Sequence, residues 1–131
     1  ANISDGENTT NFSAGAGIAV GNHYIIILGG DNGEIFHKIE TYLSQMAQTN
    51  SAEEKAQLAA EKNLLNTNHN GFYKGTLLYN TLTNSWSKMG DLPFFAPVTT
   101  TAILWNNKIV LSNGEIKPGI RTPNVMLGTI K

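Results

Sequence analysis

Residues 15–30 read GAGIAVGNHYIIILGG and residues 99–114 read TTTAILWNNKIVLSNG, and this pair of stretches decides the fold. Each contains two apolar runs separated by a turn signal, Gly21-Asn22 in the first and Asn106-Asn107 in the second. A shift of 84 residues aligns the stretches without a gap, and the matched positions are Ile25–Ile27 with Ile109–Leu111, Asn22 with Asn106, and Gly30 with Gly114. The chain therefore predicts an internal repeat whose unit begins with a β-hairpin.

Further short strands follow each hairpin. The runs GTLLYN and WSKM are rich in β-branched, aromatic or alternating residues and are bounded by turn formers. We expect four strands in the first unit, near residues 14–20, 24–28, 75–80 and 85–89. We expect three in the second, near residues 98–105, 108–112 and 122–130.

A helical insertion of about residues 34–65 interrupts the first unit. Its apolar residues recur at helical spacing, and they are Ile35, Ile39, Tyr42, Leu43 and Met46. Ser51 with Glu54 forms a capping-box pattern ahead of strong helix formers. The pattern predicts two short helices, or one helix broken near Asn50-Ser51. Without this insertion the repeat period falls into the range of about 40–50 residues that propeller blades have.

Composition excludes several classes of function. The chain has 131 residues, with nine Lys+Arg against ten Asp+Glu, so it has no basic surface for nucleic acid or an anionic membrane. It has no cysteine, which excludes disulfides, thiolate metal sites and a cysteine nucleophile. The longest apolar run, Tyr24–Leu28, is too short to span a bilayer, and no signal peptide is visible. No histidine pair has metal-ligand spacing, and no cofactor-binding motif is present.

The order strand, turn, strand, di-glycine, strand with Tyr, strand with Trp resembles the kelch repeat. In the first unit the marker residues are Gly29-Gly30, Tyr79 and Trp86. The resemblance implies an all-β fold, a kelch-type β-propeller, here about two blades with a helical insertion. A small four-stranded blade buries its faces only against neighbouring blades, which accounts for the apolar strands. The alternative is a generic antiparallel sandwich with glycine turns.

This fold predicts how the chain divides. Residues 1–13 are a linker or the end of a preceding blade, residues 14–90 a complete blade with its insertion, and residues 91–131 a last, three-stranded blade. Two blades cannot close a ring of at least about four. We therefore expect the remaining blades, and the fourth strand of the last one, to come from another segment or chain. We also expect the apolar stripe of the insertion to pack over one face of the propeller.

A more specific likeness lies in residues 113–123, which read NGEIKPGIRTP. This string is similar to the NGE-x-KPG-x-RT signature of the bacterial sialic acid mutarotases, or N-acetylneuraminate epimerases. The likeness covers nearly the whole chain from about Asn11 onward. It implies a kelch propeller that is six-bladed when complete, a sugar-acid substrate, no cofactor, and a periplasmic or secreted location. Because the string stands near the end of this sequence, the chain resembles the cyclically permuted branch of that family.

The resemblance also implies roles for the residues of the string. Glu115 matches the proposed catalytic base, and Arg121 matches the residue that binds the substrate carboxylate, with Lys117 adding positive potential. Mutarotation needs a general base, and a guanidinium is the group that grips a carboxylate with two hydrogen bonds. His69 could reach the pocket from the exit loop of the insertion. The structural alternatives are a solvated Glu115 and a surface ion pair between Glu115 and Arg121.

Two functions follow from these patterns. The first is a mutarotase that interconverts anomers of sialic acid or a similar acidic sugar. The second is a non-catalytic kelch propeller that binds a protein or a glycan. The string from Glu115 to Arg121 distinguishes the two functions. A binding propeller needs neither a general base nor a carboxylate-binding residue at a fixed spacing from it.

Overall fold

The structure, a computed structural model, describes residues 1–131 and contains nine strands and two helices. The strands and helices, in chain order, are β1 (Ala16–Val20), β2 (Tyr24–Leu28), α1 (Glu34–Gln48), α2 (Ala52–Thr67), β3 (Gly75–Asn80), β4 (Ser85–Asp91), β5 (Ala102–Trp105), β6 (Lys108–Ser112), β7 (Glu115–Lys117), β8 (Ile120–Arg121) and β9 (Val125–Thr129). Two compact units result. One contains all the strands, and the other, residues 33–70, contains the helices.

The first sheet is a four-stranded antiparallel meander in the order β1-β2-β3-β4. Its strands lie where the sequence predicts them, and the helical insertion enters between β2 and β3. The hairpin between β1 and β2 pairs Val20 with Tyr24 across a turn that Gly21 enters at positive φ. A bulge in the pairing of β3 with β4 follows Thr76. The prediction of a strand-rich fold with one helical insertion is therefore confirmed.

The second sheet has the order β5-β6-β9, and its outer strands are shorter than predicted. The prediction that β5 begins near residue 98 is wrong, because Val98 pairs with Glu115 and Thr99 has φ 53°, which breaks the extended backbone. The prediction that the last strand begins at residue 122 is also wrong. The Thr122 N–H donates to the Gly114 carbonyl, so this part of the chain closes the hairpin of β7 and β8 before β9 starts.

The two sheets pack on each other through faces that are not equivalent in the repeat. Such packing is expected of a propeller, whereas in a sandwich of two repeats equivalent faces would meet. The core cluster buries Ile26 and Leu28 from β2 against residues that include Ile109 and Leu111 from β6. Under the 84-residue shift, the two β6 residues correspond to Ile25 and Ile27, which lie on the other face of β2 because side chains alternate along a strand. One sheet thus presents its front to the back of the next. This arrangement can continue from blade to blade around a ring.

The helical unit consists of two helices that meet at the predicted break. Ser51 is the N-cap of α2, and its side chain accepts a hydrogen bond from the Glu54 N–H at 3.2 Å. The Glu54 carboxylate reaches the Thr49 hydroxyl instead of the Ser51 N–H, so the capping box is only half formed. Partial desolvation and the Glu61 carboxylate raise the pKa of the Tyr42 hydroxyl, which links α1 to α2. Neither helix has the length and the apolar composition needed to cross a membrane.

Three expectations stay predictions. They are the division of the chain into residues 1–13, 14–90 and 91–131, the completion of the second sheet by another segment, and the packing of the insertion over the propeller.

Candidate functional site

A buried connection between the two sheets supports the candidate site. Ala96 and Pro97 are fully buried and Val98 is 4% exposed. The connection passes so close to Gly29 and Gly114 that a Cβ at either glycine would stand 2.9 Å or less from the nearest atom of Ala96 or Pro97. Both glycines also have positive φ, 68° and 108°. The sequence therefore needs glycine at the end of the second strand of each repeat, where the backbones meet.

This connection holds the backbone of Glu115. Val98 and Glu115 exchange two backbone hydrogen bonds, of 2.8 Å and 2.9 Å. Glu115 is the first residue of β7, directly after Gly114, and its side chain is half-buried. The position of this residue is thus determined by the packing of two sheets and does not depend on a flexible loop.

Glu115 and Arg121 stand opposite each other on a two-stranded hairpin that the sequence patterns did not reveal. Strand β7 pairs with β8, and the register places Glu115 against Arg121 and Lys117 against Ile120. Pro118 and Gly119 form the two-residue turn, with Gly119 at φ 76°, as a turn with proline first and glycine second requires. Lys117 is the last residue of β7, directly before this turn.

The Glu115 carboxylate is held by its own hairpin. Its Oε1 accepts a hydrogen bond of 2.6 Å from the Gly119 N–H, across the turn. No ion pair joins it to Arg121, and the chain offers Oε2 no partner. The structural alternative of an ion pair between Glu115 and Arg121 is therefore wrong. The backbone contact orients one carboxylate oxygen and leaves the other without a partner in the chain.

Arg121 is exposed, and its guanidinium contacts a residue that the sequence did not single out. Nη1 of Arg121 donates to the Thr99 hydroxyl at 3.4 Å. Thr99 is itself anchored, since its N–H donates to the Ala14 carbonyl at 3.0 Å. The signal that could have found Thr99 is the polar run Thr99–Thr101 directly after the Ala-Pro-Val connection, which the strand prediction absorbed.

Of the other two candidates, one lies on the same strand as Glu115 and the other lies in the helical unit. Lys117 is half-buried on β7. His69 follows the C-cap of α2 in the helical unit, where its N–H donates to the Asn66 carbonyl at 3.3 Å. Its role at the pocket stays a prediction. No group of three or more His, Asp or Glu side chains is arranged to hold a metal ion.

Comparison with known proteins identifies the family. The family model described as N-acetylneuraminate epimerase matches residues 7–131. The chain belongs to the N-acetylneuraminate epimerase family. Proteins with that name from Salmonella typhimurium and from Yersinia pestis Pestoides F are each 31% identical to it, over 108 and 107 residues. These alignments cover 81% of the chain but only 27% and 26% of the relatives, so the chain spans about a quarter of their length.

A comparison with solved structures concerns the fold. A solved structure described as "Structure of YjhT" matches 93% of the chain and 37% of its own length, with a TM-score of 0.69 at 21% sequence identity. Together with the sheet order and the stacking of opposite faces, this match shows a kelch-type β-propeller. In this chain Glu115 and Arg121 thus lie on a hairpin that connects the second strand of a blade, β6, to its third strand, β9.

Proposed function

We propose that the propeller containing this chain is a mutarotase, an isomerase that interconverts anomers of N-acetylneuraminate or a similar acidic sugar without a cofactor. The single observation that carries the proposal is the hairpin, which holds Glu115 and Arg121 directly opposite each other in its register without an ion pair between their side chains. Family membership supports the choice of substrate. We further propose that the protein works in the periplasm or after secretion.

Glu115 serves as the base in the proposed reaction. The carboxylate takes the proton of the anomeric hydroxyl while an acid protonates the ring oxygen, so the bond between the anomeric carbon and the ring oxygen breaks and a ketone forms. The hydroxyl then adds to the other face of the carbonyl and the protons return. The Gly119 N–H donates a hydrogen bond to Oε1 and so keeps the carboxylate oriented, while Oε2 accepts the proton and later returns it.

Arg121 binds the substrate carboxylate, with Lys117 adding positive potential. N-Acetylneuraminate carries a carboxylate on its anomeric carbon, and a guanidinium donates two parallel hydrogen bonds to such a group. The opposite positions of Glu115 and Arg121 support this assignment, because the group that is bound and the hydroxyl that is deprotonated share one carbon of the sugar.

The partners in this proposal are the sugar acid and the remaining blades of the propeller. The chain contributes two sheets, and its relatives are about four times as long by the shares stated above. Another segment or another chain supplies the other blades and further residues of the pocket. Activity is therefore to be measured on the assembled propeller.

Replacement of Glu115 by glutamine tests the base. The amide oxygen of Glu115→Gln still accepts the Gly119 N–H, so the hairpin is retained while the base is lost. We expect turnover to fall by about 10²–10⁴-fold, which is the usual contribution of a general base. Proton NMR of freshly dissolved anomers of N-acetylneuraminate measures the rate, and substrate affinity should change little.

Replacement of Arg121 by lysine tests the carboxylate clamp. Arg121→Lys keeps the charge and removes the planar fork, so binding should weaken by about 1.5–3 kcal/mol while turnover of bound substrate is largely retained. A neutral analogue without the carboxylate serves as the control and should not respond to the change.

A second candidate function is a non-catalytic kelch propeller that binds a protein or glycan. The hydrogen bond from Gly119 to Glu115 favours it, since it gives the carboxylate a structural role in its turn. If both folded variants mutarotate N-acetylneuraminate at the parent rate, the hairpin is scaffold and this second function replaces the first.

A further inference from the structure

The first sheet carries a carboxylate at the position that Glu115 occupies in the second. The 84-residue shift that relates the two repeats places Asp31 on Glu115. In each repeat the carboxylate directly follows two residues with positive φ, which is 68° and 95° at residues 29–30 and 52° and 108° at residues 113–114. The backbone therefore turns in the same way before both carboxylates, and the two positions correspond in structure as well as in sequence.

The same backbone pairing holds both residues in place. Ser13 and Asp31 exchange two backbone hydrogen bonds of 3.0 Å each. Val98 and Glu115 exchange bonds of 2.8 Å and 2.9 Å. Both pairs are antiparallel bridges. Because the direction of a side chain follows from the backbone of a paired segment, Asp31 and Glu115 leave their sheets in equivalent directions.

The two bridges are neighbours at one end of the stacked sheets. Ala14 and Thr99 follow the two bridge partners, with φ of 58° and 53°. The Thr99 N–H donates to the Ala14 carbonyl at 3.0 Å, and the Thr99 hydroxyl accepts a hydrogen bond from the Arg121 guanidinium. Stacked sheets lie about 10 Å apart, so a single sugar is large enough to contact carboxylates on both sheets at once.

The Asp31 carboxylate is available to a ligand. Its side chain is half-buried, and neither a hydrogen bond nor an ion pair within the chain engages it. Glu115 differs, because one of its oxygens accepts the Gly119 N–H across the hairpin turn. After Asp31 the chain enters the helical unit and forms no such turn. Asp31 therefore offers both carboxylate oxygens to hydrogen-bond donors of a ligand.

We propose that Asp31 is a specificity-determining residue that binds the sugar on the side of its ring opposite the anomeric carbon. The inference rests on the proposed mutarotase function. Equivalent positions of neighbouring blades face the same axis of a propeller, so Asp31 and Glu115 approach one bound sugar from adjacent blades. Glu115 and Arg121 act at the anomeric carbon, and Asp31 holds the far side.

The chemistry of the sugar matches this arrangement. N-Acetylneuraminate carries an N-acetylamino group directly across the ring from its anomeric carbon and a hydroxyl on the carbon beside it. The amide N–H and the hydroxyl are two adjacent donors for the two open oxygens of Asp31. A sugar bound in reverse would bring its carboxylate to Asp31 and leave Arg121 without it, so charge repulsion selects the productive orientation.

Asp31→Asn in the assembled propeller tests the inference. The amide keeps the shape and loses the charge and one acceptor, and it breaks no side-chain contact within the chain. We expect the affinity for N-acetylneuraminate, measured by calorimetry, to fall about 5- to 20-fold, and KM for anomer interconversion to rise in parallel while kcat stays within about twofold. Asp91→Asn makes the same chemical change on β4, where Asp91 pairs with Lys88, and should alter neither parameter.

An analogue of N-acetylneuraminate identifies the contact. In this analogue hydrogen replaces the ring hydroxyl beside the N-acetylamino group. It should bind the parent propeller more weakly, and Asp31→Asn should weaken its binding by a smaller factor than that of N-acetylneuraminate, because one of the two hydrogen bonds is already absent. Equal factors for the two sugars would overturn the assigned contact.

The outcomes separate this inference from the proposed function. Unchanged affinity of Asp31→Asn for N-acetylneuraminate in a propeller that interconverts the anomers would overturn the inference alone. A fall in kcat at unchanged affinity would also overturn it, because Asp31 would then act on a proton. If the parent binds the sugar without interconverting its anomers, the proposed function fails, and weaker binding by Asp31→Asn still supports the inference. A parent that does not bind the sugar would overturn both.

Discussion

At the scale of single residues, close backbone approach explains why glycine stands at the start of the candidate site. Gly114 lies between the buried connection and Glu115, and the Pro97 Cβ and the Val98 carbonyl oxygen are both within 2.9 Å of the position that a Cβ on Gly114 would occupy. The position of the Glu115 carboxylate therefore depends on a residue that has no side chain.

Gly114→Ala should be strongly destabilising. The methyl group would collide with Pro97 and Val98, and the residue would keep a φ of 108° that alanine resists. We expect a loss of at least about 2 kcal/mol in the free energy of unfolding, measured by urea denaturation. Gly119→Ala is the matched control, because it has positive φ but open space around it, and it should cost only about 1–2 kcal/mol. Equal losses would show that the close approach is unimportant.

Thr99 is expected to position Arg121. Thr99→Ala removes the hydroxyl that accepts the guanidinium hydrogen bond. We expect the apparent affinity of the assembled propeller for N-acetylneuraminate to fall about two- to fivefold with turnover unchanged, since one exposed hydrogen bond is lost. Thr101→Ala, two residues along and also exposed, should change neither parameter. Loss of turnover in Thr99→Ala would contradict a positioning role.

At the scale of elements, each sheet has extra secondary structure in the connection between its second and third strands. The first unit inserts α1 and α2 there, and the second inserts the hairpin of β7 and β8. Strand pairing fixes the two ends of such a connection, whereas the length and structure of the connection differ between the two sheets. The candidate site therefore lies on a connection whose ends are held by the sheet.

The break between the helices depends on Ser51. Ser51→Ala removes the side-chain oxygen that accepts the Glu54 N–H, so the first turn of α2 should be destabilised by about 1 kcal/mol. Amide exchange of the first turn of α2 measures the effect. Ser44→Ala, inside α1, is the control and should have little influence on α2. Unchanged exchange after Ser51→Ala would mean that Thr49 and Glu54 alone hold the cap.

At the scale of the whole molecule, the stacking of opposite faces leaves one apolar face of the second sheet in solvent. Ile103 is 54% exposed and Leu127 is 61% exposed, and both lie in line with Val110 across the sheet. This face corresponds to the one through which the first sheet packs on the second. An exposed apolar sheet face of this kind favours association.

We therefore expect that the isolated chain does not exist as a stable monomer. Sedimentation at several concentrations should show self-association, and Leu127→Lys should reduce it because it places a charge on the exposed face. Ser87→Lys on β4 adds the same charge away from this face and serves as the control. A cooperative melt of a demonstrably monomeric parent chain would contradict the expectation.

The sequence by itself determined the strands β1 to β4, the break between the helices at Asn50-Ser51, the repeat and the family, because local periodicity, caps and a rare string of residues carry that information. The positive φ of Gly119 in the structure agrees with the local chemistry of a proline followed by a glycine.

Only the tertiary structure decided which face of each strand is buried, where β5 begins, and what the Glu115 carboxylate contacts. Strands β2 and β6 are apolar on both faces, so their sequence does not say which face meets the neighbouring sheet. The pairing of Val98 with Glu115 and the contact of Arg121 with Thr99 join residues 17 and 22 positions apart. Such contacts arise from the packing of whole sheets, which no local pattern encodes.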